Sequence, residues 1–153
     1  MKKHFFVLVF FICTAITYSQ TQLSNKLSLL PLLNESELRY KELVEKSNKT
    51  ITRFEIDLVN QSSDKFTAVK LVSGRNYSIL LSGELKIIKG IELKIYTYLN
   101  RSNRVLVSDI KNSTRMLETT FKPDKNDYYE FEITAKEFSD GNKVGRYCLI
   151  IAN

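Results

Sequence analysis

The 153-residue sequence has no tryptophan, one histidine and two cysteines, namely His4, Cys13 and Cys148. Without a histidine beyond position 4, the body of the chain cannot form a Ser-His-Asp or Cys-His catalytic centre, a zinc site with histidine ligands, or a haem site with a histidine axial ligand. Its single remaining cysteine cannot close an intrachain disulfide. Any enzymatic interpretation is therefore limited to carboxylates, tyrosine, lysine, arginine or a cation bound by oxygen atoms.

Glycine and proline are also scarce, with five and two residues. The glycines stand singly, as at turns, and they form no glycine-rich phosphate-binding loop. Hydrophobic residues make up 43% and charged residues 26% of the chain, which is typical of a globular domain rather than a disordered one. A chain of this length buries about two-thirds of its unfolded surface, so it needs no disulfide or metal to hold a core.

A charge-free apolar segment runs from Phe5 to Tyr18, directly behind a short basic start. This arrangement predicts a secretory signal peptide over residues 1–20, and the segment is shorter than the about 20 apolar residues of a transmembrane helix. Its ending, Tyr18-Ser19-Gln20, resembles exported proteins of Bacteroidetes-type bacteria. We therefore expect a periplasmic or secreted protein with no integral membrane span after cleavage.

The formal charge of +6 is reduced by this cleavage, because Lys2 and Lys3 are removed and 21 basic residues then face 17 acidic ones. The basic residues are spread along the chain and form no lysine or arginine block. A nucleic-acid-binding surface concentrates such residues on one face or in one run. The sequence therefore favours ordinary solubility, and no nucleic-acid partner is expected.

One helix is predicted within a leading segment, residues 21–49. Pro31 lies among several leucines and disfavours a single long helix, so the leucines are interpreted as a lead-in. Asn34 and Glu37 form a capping-box pattern, which predicts a helix over residues 34–47. The partial apolar face of this helix is expected to consist of Leu38, Tyr40, Leu43 and Val44.

From residue 50 onward the hydrophobic residues alternate with polar ones. Five clear runs lie at 54–58, 77–81, 91–95, 129–135 and 147–151, and shorter runs lie at 66–72, 84–88, 104–108 and 114–121. In the first run, Phe54, Ile56 and Leu58 are expected to face the core. Alternation with one polar face and frequent turn residues predict a mainly all-β domain over residues 50–153, an antiparallel β-sandwich or jelly roll of about 8–9 strands.

Four stretches of this region resemble the strands of one known family. Residues 74–82, 91–96, 121–133 and 145–150 together are similar to the bacterial pre-peptidase C-terminal domain and its β-sandwich relatives. The resemblance covers roughly residues 50–152, and Asp127 stands where the family usually has a glycine before the tyrosine. It implies a β-sandwich that serves as a non-catalytic appendage contacting carbohydrate or protein.

Three tyrosines, Tyr96, Tyr98 and Tyr128, are predicted on the polar faces of their strands. Because a tyrosine ring is apolar while its hydroxyl stays hydrated, exposed tyrosines on a sheet form a platform for a sugar ring or a partner protein. The alternative is that these rings pack on one another across neighbouring strands or are covered by the helix. These three residues are the candidate binding residues.

Acidic and amide side chains suggest two further chemistries. Asp124, Asn126 and Asp127 cluster in one predicted turn, and such oxygen-rich turns bind calcium, although Asp and Asn are also ordinary turn residues. Calcium is the only cofactor that the sequence suggests. Glu130 and Glu132 share a strand face, which is compatible with the paired carboxylates of a glycosidase and equally with any solvated strand.

Cys148 alternates with the predicted core residues of the last strand, so we expect it beneath the N-terminal helix as a small buried side chain. Taken together, the residues predict an exported, non-catalytic binding or accessory module that contacts a polysaccharide or an envelope protein. Two alternatives stay open. One is a structural envelope or adhesin-type protein, and the other is a carbohydrate-active enzyme built from carboxylates.

Overall fold

A computed structural model describes residues 29–99, 103–139 and 141–153. The predicted signal peptide lies outside the described residues. Within them the chain forms helix α1 (Leu30–Lys41), a π-helical turn (Glu42–Lys46), and strands β1 (Ile51–Asn60), β2 (Lys65–Leu71), β3 (Tyr77–Gly83), β4 (Ile88–Leu99), β5 (Asn103–Ile110), β6 (Met116–Phe121), β7 (Asp127–Phe138) and β8 (Val144–Ala152). Residues 31–153 form one compact unit.

The strands form two antiparallel sheets of four strands each. Sheet A has the order β1-β8-β3-β6, and sheet B has the order β2-β7-β4-β5. The core between them is built from the apolar positions of β3, β4, β7 and β8, among them Ile79, Leu93, Phe131, Ile133 and Leu149. The predicted β-sandwich is thereby confirmed, and so are the predicted core faces of these four strands.

Two predicted strand assignments are wrong. The run at 84–88 is mostly a turn, in which the Glu84 carbonyl accepts hydrogen bonds from the amides of Ile87 and Ile88. In β1, Phe54 and Leu58 are exposed on the outer side of sheet A, while Glu55 lies on the inner side with Val59. Polar residues can occupy the inner side here because β1 is an edge strand, where the sandwich opens to water.

Hydrogen bonds compensate the partial burial of Glu55. Its carboxylate accepts from the Tyr147 hydroxyl at 2.7 Å, from the Thr67 hydroxyl at 2.9 Å and from Arg53 Nε at 2.9 Å. Burial alone would raise the pKa of Glu55, but these bonds outweigh it and the pKa lies below its ordinary value. Burial and the contact with Glu55 raise the pKa of Tyr147, which stays a neutral donor.

Helix α1 begins four residues before the predicted start. Pro31 occupies its first turn, where a missing amide proton costs nothing because that proton would have no partner within the helix. The buried positions are Leu32, Ser36 and Leu43 of the following turn, whereas Leu38 is exposed, contrary to the predicted apolar face. Tyr40 of the predicted face is exposed as well, whereas Leu43 is buried as predicted, because the segment contacts sheet A through Leu32 and Leu43.

The helix covers part of the outer face of sheet A. Leu32 and Leu43 form a cluster with Leu80, Cys148, Ile150 and Ala152. An ion pair between Glu35 and Arg115 at 2.8 Å joins the helix to the segment before β6. Cys148 is thus buried beneath the helix as predicted, and burial raises the pKa of its thiol to about 11. Among the described residues, no helix is long and apolar enough to cross a membrane.

Candidate functional site

The outer face of sheet B gathers side chains from all four of its strands. The register places Phe66 of β2 opposite Glu132 of β7, and Glu132 opposite Lys94 of β4. In the next row, Glu130 lies opposite Tyr96. Tyr98 lies opposite Arg104 of β5, and Tyr128 lies opposite Lys70 of β2. We call this surface the tyrosine face, defined by Phe66, Lys94, Tyr96, Tyr98, Arg104, Tyr128, Glu130 and Glu132.

Arg104 is the centre of the tyrosine face. Its guanidinium carbon lies 3.5 Å from the centre of the Tyr96 ring and 4.9 Å from that of Phe66. Its Nε contacts Glu130 and its Nη2 contacts Glu132, each at 2.7 Å. Cation–π contacts and charge-assisted hydrogen bonds act together on this one side chain, so it is held flat across the sheet.

At this centre, the carboxylates of Glu130 and Glu132 lie against the basic groups of Lys94 and Arg104. Glu132 is buried and also accepts a hydrogen bond from Lys94 Nζ at 2.8 Å. Burial alone would raise the pKa of Glu132, but Lys94 and Arg104 outweigh it, so its pKa lies below the ordinary value. The hydrogen bond that Lys94 donates to Glu132 raises the pKa of Lys94. Glu132 and Lys94 therefore keep their charges at neutral pH, and two carboxylates lie beside two basic side chains at this centre.

The aromatic side chains differ in how much of the ring water can reach. Tyr98 donates a hydrogen bond to Glu130 at 2.6 Å, and this bond raises the pKa of the Tyr98 hydroxyl. Tyr96 is covered on one side by Arg104. Phe66 and Tyr128 are 48% and 58% exposed, which makes them the accessible aromatic surfaces of the face. A ligand would therefore meet the exposed ring of Tyr128 and the part of the Phe66 ring that Arg104 leaves exposed.

The structure brings Tyr96, Tyr98 and Tyr128 onto one face of one sheet, and it adds Glu130 and Glu132 to the same surface. Phe66 and Arg104 belong to no motif that the sequence alone indicates as a binding site. Alternation puts Phe66 on the outer face once β2 is assigned, but no local pattern shows that Arg104 reaches across β4 to β7. That contact depends on the strand order. The strand order is set by pairing between segments that lie far apart in the chain.

The acidic turn before β7 is bound largely to its own surroundings. Asn126 Oδ1 accepts a hydrogen bond from the Ser73 amide at 2.7 Å, and Asp127 pairs with Lys125 at 3.0 Å and accepts from the Tyr128 amide at 2.8 Å. No group of three or more histidine, cysteine, aspartate and glutamate side chains that could hold a metal occurs among the residues that the structure describes. These contacts are those of residues that stabilise a turn, which explains why Asn126 and Asp127 occur here.

No family model and no curated protein match this chain. Solved structures similar to it include the pre-peptidase C-terminal domain of collagenase from Bacillus anthracis, with a TM-score of 0.49 and 14% identity over 66% of this chain and 89% of that one. The family that the sequence resembles is therefore also found among its structural neighbours. At this identity the likeness concerns the fold alone.

Two further neighbours are binding proteins according to their descriptions. One is chitosan-binding module 1 of a chitosanase/glucanase from Paenibacillus sp. IK-5, with a TM-score of 0.39 and 13% identity over 65% of this chain and 76% of that one. The other is CorA, a surface-associated copper-binding protein of Methylomicrobium album BG8, with a TM-score of 0.48 and 12% identity over 65% and 92%. With TM-scores below 0.5, neither assigns a ligand to this chain.

Proposed function

We propose that this protein is an exported, non-catalytic binding module that contacts an uncharged stretch of a cell-envelope polysaccharide through the tyrosine face. The observation that carries the proposal is the arrangement around Arg104. Its guanidinium is fixed by Tyr96, Glu130 and Glu132 and lies over the Phe66 ring, and Tyr128 is exposed on the same face. Export follows from the predicted signal peptide and belongs to the same proposal.

Sugars suit this surface for two physical reasons. Their ring faces are apolar and pack on open aromatic rings, while their hydroxyls hydrogen-bond to charged groups at the rim of the contact. The polar groups here are already oriented by one another, so little side-chain entropy is lost when a ligand binds. Because two carboxylates compensate Lys94 and Arg104, a charged polymer gains no net attraction at the centre.

The same geometry argues against a carboxylate-based hydrolase. A glycosidase needs one carboxyl group that stays protonated near neutral pH, because that group donates a proton to the leaving oxygen. Glu132 has the opposite environment, since Lys94 and Arg104 lower its pKa. Glu130 is held between Arg104 and the Tyr98 hydroxyl. We infer that these two glutamates orient Arg104.

Thermal unfolding of the protein, purified from cells expressing the full chain, tests the proposal with a panel of neutral polysaccharides. A ligand present at about 100 times its dissociation constant adds roughly 2.7 kcal/mol to the free energy of unfolding. We expect one glycan class to raise the unfolding temperature of the wild type. Tyr128→Ala and Phe66→Ala should bind at least about tenfold more weakly, a loss of about 1.4 kcal/mol each.

Leu58→Ala is the matched control, because Leu58 is 53% exposed on sheet A and Tyr128 is 58% exposed on sheet B. This variant should bind as the wild type does. Equal weakening in all three variants, or no shift with any glycan, would count against the tyrosine face as a polysaccharide site. Calcium and a chelator, added in parallel, should leave the unfolding temperature unchanged, since Asn126 and Asp127 already serve the turn.

A further inference from the structure

Strand β2 has one small side chain on the outer face of sheet B. Its side chains alternate between the two faces, and Phe66, Ala68 and Lys70 are the exposed ones. Phe66 and Lys70 are four residues apart, about 13 Å along a strand, and only the methyl group of Ala68 lies between them on this face. Because β2 is an edge strand, the space over Ala68 is also open at the side of the sheet. We call this space, bounded by Phe66 and Lys70, the Ala68 gap.

The register places a carboxylate directly beside the Ala68 gap. Ala68 lies opposite Glu130 of β7, and Lys70 lies opposite Tyr128. Side chains that lie directly opposite each other in antiparallel strands have Cβ atoms about 4.5–5.5 Å apart. Glu130 therefore borders the gap on the side of the sheet centre, and the exposed ring of Tyr128 lies next to it on the same face.

Glu130 is the more accessible of the two glutamates on the tyrosine face. Its side chain is 19% exposed, whereas that of Glu132 is 6% exposed. One oxygen of Glu132 accepts a hydrogen bond from Lys94 and the other accepts one from Arg104. A ligand on this face therefore meets the carboxylate of Glu130 rather than that of Glu132.

The Glu130 carboxylate is held in place and still has acceptor capacity. Its Oε1 contacts Arg104 Nε at 2.7 Å, and its Oε2 accepts a hydrogen bond from the Tyr98 hydroxyl at 2.6 Å. A carboxylate oxygen has two lone pairs, so each oxygen can accept one further hydrogen bond. Two hydroxyls on neighbouring carbon atoms of a sugar ring lie side by side, as the two carboxylate oxygens do. Such a pair can donate one hydrogen bond to each oxygen, and hydrogen bonds to a charged acceptor are the stronger kind.

We propose that the Ala68 gap holds one unit of the bound polysaccharide and that Glu130 accepts hydrogen bonds from two neighbouring free hydroxyls of that unit. On the proposed function, on which this assignment rests, the Tyr128 ring packs against the apolar face of the polymer. Glu130 adds a chemical requirement to this contact. The bound polymer must have units that keep two neighbouring ring hydroxyls free of linkage and substitution.

Neutral polysaccharides that differ in their free hydroxyls test this requirement without any change to the protein. Dextran, pullulan and galactomannan keep two or more neighbouring ring hydroxyls free in their backbone units. The main-chain linkage of laminarin leaves no two neighbouring ring hydroxyls free. We expect at least one of the first three polymers to bind about tenfold more tightly than laminarin, per sugar unit, in isothermal titration calorimetry. Laminarin binding as tightly as the best of them would overturn the proposal.

Ala68→Lys tests the gap while Glu130 and the aromatic rings stay in place. The new side chain fills the gap, and its charge pairs with Glu130 across the two strands, so it competes with the sugar hydroxyls. We expect this variant to bind the best glucan or mannan of the series at least about tenfold more weakly. Thr120→Lys is the matched control, because Thr120 is an exposed strand residue of sheet A, and it should bind as the wild type does.

Circular dichroism checks that both lysine variants are folded. If Tyr128→Ala weakens binding and Ala68→Lys does not, the tyrosine face binds the polymer but the Ala68 gap is empty, and the assignment of Glu130 is wrong while the proposed function stands. If no polysaccharide binds to the wild type, both the assignment and the proposed function are wrong.

Discussion

At the scale of single residues, the positions that alternation misassigned are those whose partners come from another strand. Glu55 occupies an inner position of β1, where the pattern of Phe54, Ile56 and Leu58 predicts a solvent-facing side chain. It is stable there because the Tyr147 hydroxyl and the Thr67 hydroxyl supply hydrogen bonds. A buried carboxylate with such donors costs far less than an unpaired one.

The free energy of unfolding should therefore depend on whether Glu55 is protonated. Its pKa in the folded protein lies below the ordinary value of 4.5, so its contribution is fully present above about pH 4.5 and is lost as the pH falls through the folded-state pKa. We expect Glu55→Gln to lower the free energy of unfolding by about 1–3 kcal/mol at pH 7. The difference from wild type should shrink below pH 4, as urea unfolding at several pH values would show.

The control for this measurement is Glu137→Gln, since Glu137 is exposed and its ion pair with Lys89 is 3.4 Å long. This variant should stay within about 0.5 kcal/mol of the wild type at every pH. A Glu55→Gln variant with the wild-type acid dependence would show that the hydrogen bonds to Glu55 do not stabilise the folded state.

At the scale of elements, helix α1 depends on packing more than on its own end signals. The capping pattern at Asn34 is not the start of the helix, because Pro31 is acceptable in the first turn and Leu32 packs against sheet A. A short helix is marginal in water by itself, so the apolar contact with the sheet selects where it begins.

Two leucines of this one helix give a matched test. Leu32 is 1% exposed and packs against the outer face of sheet A, whereas Leu38 is 65% exposed. Leu32→Ala should lower the free energy of unfolding by about 2–4 kcal/mol, because it removes a buried side chain and leaves a cavity. Leu38→Ala should change it by less than about 0.5 kcal/mol. Equal effects in urea unfolding would contradict the described position of the helix.

At the scale of the whole molecule, the two sheets approach closely where side chains are missing. Gly83 of β3 and Gly145 of β8 both face Ile88 of β4, and a Cβ atom at Gly145 would lie 2.8 Å from Ile88 Cγ1. The Ile88 side chain can lie between the sheets at this point only because the positions that face it are glycine. The close approach belongs to the sandwich as a whole, since three strands from both sheets form it.

Gly145→Ala should therefore destabilise the protein by about 1–3 kcal/mol, because Ile88 and Ile87 must move to make room. Gly90→Ala is the control, since its new Cβ would have no atom nearer than 3.7 Å and needs no rearrangement. Thermal unfolding of the two variants distinguishes them. A Gly145→Ala variant as stable as Gly90→Ala would show that this end of the sandwich is more loosely packed than described.

The fold class, the core faces of β3, β4, β7 and β8, and the burial of Cys148 can be predicted from the residue pattern, because alternation with period two follows directly from strand geometry. The residue pattern also places Tyr96, Tyr98 and Tyr128 on outer strand faces. Tertiary structure alone decided the strand order, and with it the contacts of Arg104 with Tyr96, Glu130 and Glu132. These contacts join segments far apart in the chain, and no local pattern encodes which strands become neighbours.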